Sequence, residues 1–339
     1  MKQTPVHIIT GFLGAGKTTF LNHFIKALLP ERIMVIENEC GETNIDGGLI
    51  MDGVEEIVEL SAGCLCCSLS DGLLDVLSEA SKRQDQYDRL VIETTGIADP
   101  SSIIQVFLED PRVEKYFHLE QVICLTDAGL LEEWLRETDE ALRQVALADA
   151  ILINKIDMVS QTAVPKVQAL VENINPHAVI FTGKQGVFPV PEIMKTGTTK
   201  LRQMEDKPHH FHHDHAHEHN HDHQHDHKHN AHGITSFTLT FPFPLNLDNL
   251  SLDLTRIVNL YRHQVYRVKG IIALPQYPNR VVLQSARSTF VITDGDPWKE
   301  GEKREGKLVF IGRGLKKGAF EKIFNRHIVF PAQSSLEKR

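Results

Sequence analysis

The chain of 339 residues is poor in thiols, with five cysteines, and poor in positive charge, with 36 lysines and arginines against 45 acids. It has no apolar run close to the ~20 residues needed to cross a bilayer, and no basic stretch leads into a long apolar one at its start. Each shortage excludes something. A nucleic-acid protein needs surplus cations to displace the counterions of phosphates, and a formal charge of -9 argues against such a partner. No membrane association is expected, and a cytoplasmic protein is. In that reducing compartment clustered thiols serve as metal ligands or redox groups more often than as disulfides, and an odd number leaves one over. The rest of the composition, 41% hydrophobic and 24% charged, is that of an ordinary soluble protein long enough for two domains.

Over the first 180 or so residues, apolar strands alternate with helical segments, the pattern of a parallel sheet covered on both faces. Strands are expected at 6–10, 32–37, 56–60, 89–93, 121–127, 150–154 and 178–182. Phe20, Leu21, Phe24, Ile25 and Leu28 share one face of a helix that stops at Pro30. Residues 209–232 break the pattern, holding thirteen of the nineteen histidines and almost nothing that could form a core, so they read as a solvated linker. Beyond them, strands at 234–241, 271–275, 280–285, 289–293 and 307–312 and helices near 248–262 and 315–326 predict a smaller α+β domain. The expected organisation is a nucleotide-binding domain over 1–200, a His-rich linker over 201–233 and the α+β domain over 234–330.

The strand VHIIT runs into GFLGAGKTT, residues 11–19, and then into a helix. Gly-X4-Gly-Lys-Thr in a strand, loop and helix is a phosphate-binding loop: glycines let backbone N–H groups curl around a phosphate, and the helix start adds its positive end. Gly11, Gly14, Ala15, Gly16 and Thr19 belong to that cradle. Lys17 is expected to reach the β- and γ-phosphates, and the Thr18 hydroxyl to ligate Mg²⁺. The strand AILIN ends in NKID, which resembles the guanine motif of GTPases, with Asn154, Lys155 and Asp157 as the base-recognising set. A carboxylate at Asp157 can accept the N1–H and 2-amino hydrogens of guanine, which adenine does not present. In RLVIETTG, Glu93 ends a buried strand where a Mg²⁺-linked carboxylate belongs, and the Gly96 N–H is placed to meet the γ-phosphate.

Three of the five cysteines, Cys64, Cys66 and Cys67, stand in SAGCLCC after the strand at 56–60, and ENECGETNID follows the strand at 32–37. In a sheet of this kind, both loops face the nucleotide crevice. Three thiols in one glycine-flanked loop fit a metal better than packing, with Glu37, Glu39 and Glu42 as sources of a further ligand for Zn²⁺. Cys124 lies in an apolar strand and reads as core. So do the isolated histidines, His7 and His327 among them, read as structural or exposed.

GFLGAGKTT, ENECGETNID, GCLCC, ETTGIADP and NKID, in this order and spacing, resemble the CobW-like metallochaperone GTPases, relatives of the urease and hydrogenase nickel-insertion GTPases. The resemblance covers residues 5–183 in detail and extends to YRVKG and LVFIGR near the C-terminus. It implies a P-loop α/β fold, metal-dependent GTP hydrolysis and delivery of a transition metal, most often zinc, to metal-requiring client proteins. One departure is Cys40, where the family commonly carries a large residue such as Phe; it adds a thiol.

The histidine tract suits multiple labile sites for Zn²⁺, Ni²⁺ or Co²⁺, a gathering arm whose loading is expected to weaken below about pH 6 as imidazoles protonate. The sequence has no evident arginine finger or water-positioning glutamine, so turnover is expected to be slow unless a client or a second copy, in a homodimer, completes the site. Alternatives are cobalt or nickel insertion, a passive His-rich metal store, and a P-loop kinase of small molecules. The kinase leaves NKID, the thiols and the histidines without purpose.

Overall fold

Short apolar runs that are buried at nearly every position can sit only in a sheet covered on both faces, and that is how the first half of the chain is built. The computed structural model describes residues 3–37, 54–59, 69–196, 233–286 and 288–330. Its first unit runs β1 (Thr4–Gly11), α1 (Lys17–Leu28), β2 (Ile33–Glu37), β3 (Val54–Glu59), α2 (Leu69–Ser81), β4 (Arg89–Glu93), α3 (Ser101–Glu109), α4 (Pro111–Glu114) and β5 (Phe117–Asp127). It continues through α5 (Leu131–Glu137), α6 (Asp139–Leu147), β6 (Ala150–Asn154), α7 (Ala163–Ile174), β7 (Val179–Thr182) and α8 (Val190–Ile193).

The seven strands form one sheet in the order β3-β2-β4-β1-β5-β6-β7, and every pair is parallel. The two-residue period divides its side chains between two cores. Val6 and Ile8, Met34 and Ile36, and Leu90 and Ile92 pack with α2 and α3. Ile9, Val35, Val91 and Ile151 face the other way, onto Phe20 and Phe24 of α1, Trp134 of α5 and Val171 of α7.

The second unit comprises β8 (Ile234–Phe241), α9 (Leu247–Leu260), β9 (Val265–Ile272), β10 (Asn279–Ala286), β11 (Thr289–Pro297), β12 (Gly306–Arg313) and α10 (Lys317–Phe324). Its five strands pair antiparallel in the order β11-β10-β9-β12-β8. On β12, Leu308 and Phe310 pack under α9 and α10, whereas Val309 and Ile311 join the core of the first unit. The α/β sheet and the smaller α+β unit are as expected. One strand is not: it was expected at 271–275, yet β9 begins at Val265 and ends at Ile272. Two charged residues inside it, Arg267 and Lys269, hide the apolar pattern.

Arg267 is buried and Lys269 nearly so because the first unit supplies their counterion. Asp149, just ahead of β6, accepts from Arg267 Nη2 at 2.5 Å, Lys269 Nζ at 2.7 Å and the Val122 amide at 2.9 Å. Arg267 also donates to the carbonyls of Leu147 and Ala148 at the end of α6. Burial works against the Asp149 carboxylate, but the two cations outweigh it and hold its pKa below the ordinary value. At Lys269 burial prevails and lowers the ammonium pKa despite Asp149. Asp149→Ala leaves buried Arg267 and partly buried Lys269 without their anion and should cost about 3–5 kcal/mol. Urea unfolding measures this, and a loss below about 1 kcal/mol would show that the cluster does not hold the units together.

His7 is a second buried titratable group, inside β1. Burial, aided by the Arg89 guanidinium 2.5 Å from its Nε2, lowers its pKa to about 3. The folded chain therefore keeps His7 neutral between about pH 6.5 and 3 while the unfolded chain takes up a proton, so stability falls as pH falls through that window. From pH 6.5 to 5 the contribution is about 2 kcal/mol at ~1.4 kcal/mol per unit. His7→Gln should flatten the stability profile by about that amount over this range, and an unchanged slope would contradict the assignment.

Candidate functional site

The site forms where β1, β4, β5, β6 and β7 end. The chain leaves β1 at Gly11, passes Gly14 and turns into α1 at Gly16, whose φ of 99° lies in the left-handed region. A Cβ on Gly16 would stand 2.5 Å from Asn154 Nδ2, so glycine is required both by the backbone and by its neighbour. The loop closes with the Ala15 amide donating to the Phe12 carbonyl at 3.1 Å. Lys17 is buried in the first turn of α1, with Nζ 3.4 Å from the Phe12 carbonyl. Thr19 is exposed.

Thr18 and Glu93 meet: the threonine hydroxyl donates to Glu93 Oε1 at 3.1 Å. A hydroxyl and a carboxylate side by side are hard oxygen donors, the set that suits Mg²⁺. Beyond Glu93, the Thr94 amide donates to the Ile9 carbonyl and the Thr94 hydroxyl to Thr10 Oγ1 at 3.0 Å, binding the end of β4 to β1. Gly96 then lies against the phosphate loop. A Cβ there would be 2.5 Å from the Leu13 amide nitrogen, so only glycine permits the approach.

Asn154 ties the two ends of the crevice together. Its Nδ2 donates to the Ala15 carbonyl at 3.0 Å, and its Oδ1 accepts from the Gly186 amide at 3.1 Å. Lys155 is left-handed, with φ 59°, and its Nζ lies 2.9 Å from Asp127. Asp127 in turn accepts from the Gly129 amide at 2.8 Å. Asp157 sits exposed in the 3-10 turn Ile156–Met158. A tight turn after β7, with Gln185 at φ 53° and Gly186 at φ 72°, packs on Thr19 and Phe20 and completes the rim. The arrangement can hold a polyphosphate at the start of α1 and a base beside Asp157.

Sequence reasoning missed Asp127 and Gly186. Asp127 had a signal, an acid at a strand end like Glu93; the turn at 184–187 had only its Gln-Gly pair. Of the metal set, Glu37 is described, buried at the end of β2 and in register with Glu93 on β4. Glu42, Cys64, Cys66 and Cys67, with Glu39 and Cys40, lie outside the described residues. Among the described residues no group of three or more His, Cys, Asp and Glu is arranged to hold a metal. Cys124 is core, its thiol pKa raised by burial to about 12. Among the described residues, no helix is long and apolar enough to cross a membrane.

Residues 5–182 match the model of the CobW/HypB/UreG nucleotide-binding domain, and residues 234–328 that of the cobalamin synthesis protein CobW C-terminal domain. The chain is 33% identical over 318 residues to the zinc chaperone YjiA of Escherichia coli, covering 92% of this chain and 95% of that one. It is 31% identical over 352 residues to the zinc chaperone CobW of Pseudomonas aeruginosa, covering 94% and 90%. The crystal structure of Zn(II)-bound YjiA GTPase from Escherichia coli superposes with a TM-score of 0.67 at 28% identity, over 97% of this chain and all of that one. With both domain models matched in order and a relative 33% identical over 95% of its own length, the chain belongs to the CobW/HypB/UreG family.

Proposed function

We infer that this chain is a GTP-hydrolysing zinc metallochaperone, which binds zinc at its Cys-X-Cys-Cys loop and passes it to metal-requiring client proteins in a nucleotide-dependent way. The observation that carries the nucleotide half is the Asn154 side chain, which joins the phosphate loop to the guanine motif. The zinc half is supported by relatives called zinc chaperones and, in Dictyostelium discoideum, a zinc-regulated GTPase metalloprotein activator.

In this reading the backbone of 11–16 and the start of α1 cradle the phosphates, Lys17 neutralises the β- and γ-oxygens, and Gly96 N–H donates to the γ-phosphate. Thr18 and Glu93 would hold Mg²⁺, which would supply charge neutralisation to the phosphates. Asp157 accepts from N1–H and the 2-amino group, and Lys155, oriented by Asp127, flanks the base. Glu37, Glu42, Cys64, Cys66 and Cys67 provide the zinc ligands. Glu37 and Glu93 end adjacent strands in register, so a zinc ligand and a Mg²⁺ ligand stand side by side at one edge of the sheet. Release of γ-phosphate frees loops that carry metal ligands. A second copy of the chain, in a homodimer, or a client supplies what the site lacks for fast turnover.

Two measurements test this. Asp157→Asn loses a charged acceptor worth about 1.5–3 kcal/mol, so GTP affinity should drop roughly 10–100-fold and the preference over ATP should shrink. An unchanged preference would place base recognition elsewhere. With residues 209–232 removed, chelator competition should find one tight Zn²⁺ site whose affinity differs between Mg²⁺-GDP and a non-hydrolysable Mg²⁺-GTP analogue, and which Cys66→Ala abolishes. Equal affinity in both states would reduce the protein to a metal store.

A further inference from the structure

Gln144 stands in the middle of α6 and is only 1% exposed. Its Nε2 donates to the Gly96 carbonyl at 3.1 Å and to the Ala98 carbonyl at 3.0 Å, so both amide hydrogens go to the segment that follows Glu93. An amide buried without such partners would cost about 1–3 kcal/mol. Arg143, the preceding residue, holds the same segment from its outer side, with Nη1 2.9 Å from Asp99 Oδ2. Asp99 Oδ1 accepts from the Ser101 amide at 2.9 Å, which fixes where α3 begins. Gly96 is thus held between the Leu13 backbone on one side and Gln144 on the other. Phosphate loop, strand-end acid and guanine motif make no use of either α6 residue.

We propose that Gln144, supported by Arg143, is a positioning residue for GTP hydrolysis: by anchoring the Gly96 carbonyl it fixes Gly96 against the Leu13 backbone and so holds the Gly96 N–H where the γ-phosphate binds. The assignment rests on the GTPase reading above. In the reaction the water oxygen bonds to the γ-phosphorus, and the bond to the β–γ bridging oxygen breaks with its electron pair passing to GDP. The water proton ends on the released phosphate. Negative charge shifts during this step, and a donor fixed beforehand stabilises it without reorganising. GDP has no γ-phosphate, so the effect of Gln144 is confined to the triphosphate state and the chemical step.

Gln144→Met keeps length and bulk but removes both donors. In the full chain with Mg²⁺, kcat should fall on the order of 10–100-fold, since displacements near 1 Å have effects of that size. GDP affinity should stay within about twofold, while the preference for a non-hydrolysable GTP analogue over GDP falls by about tenfold or more. A merely structural role would weaken both nucleotides together and lower the melting temperature. Arg143→Met acts on the same segment from a half-exposed position and should shift the preference in the same direction by several-fold. If Gln144→Met does not fold, Arg143→Met decides alone. An unchanged analogue-to-GDP ratio, or an equal loss for both nucleotides, overturns the proposal. A wild-type chain that neither binds nor hydrolyses GTP would instead overturn the reading on which it rests.

Discussion

Seven strands running in one direction deliver the described strand-to-helix loops to the same edge of the sheet, and the site exists because of that constraint. Within it, one buried amide sets the distance between the two halves of the crevice. Asn154 occupies the last position of β6, so its place is fixed by the sheet, and its side chain holds Ala15 and Gly186 together. The loop that opens α1 cannot drift from the turn after β7 while those bonds stand. Gly16 has no Cβ because that amide occupies the space.

What could be read from the chain alone was whatever depends on local rules. The phosphate loop is legible because its glycines answer to φ angles and its lysine to phosphate charge. The strands of the first unit are legible because both their faces are buried, leaving unbroken apolar runs such as AILIN. β9 was misplaced for the opposite reason: Arg267 and Lys269 turn inward to Asp149, more than a hundred residues away, and no local pattern announces that partner. Gln144 is illegible in the same way. A glutamine in mid-helix usually faces solvent, and only the folded chain brings it beneath Gly96.

α6 is shared between the two units. One end caps its first turn with Thr138, beside Asp139, which pairs with Arg313 of β12; the other offers its last carbonyls to Arg267 of β9. Between these ends lie Arg143, over the Tyr266 ring of β9 at 5.6 Å, and Gln144, under the segment after Glu93. A helix of nine residues therefore touches the second sheet along its length while supporting the crevice from below.

The register of β2 against β4 puts Glu37 directly opposite Glu93, both buried, at a strand spacing of about 4.8 Å. Coulomb interaction across so short a gap, away from bulk water, is screened far less than at the surface. A cation drawn to either carboxylate is felt by the other as a change in local field, and two cations at neighbouring strand ends repel. The spacing of the strands thus acts as a ruler: it fixes how strongly charge at the end of β2 is sensed at the end of β4.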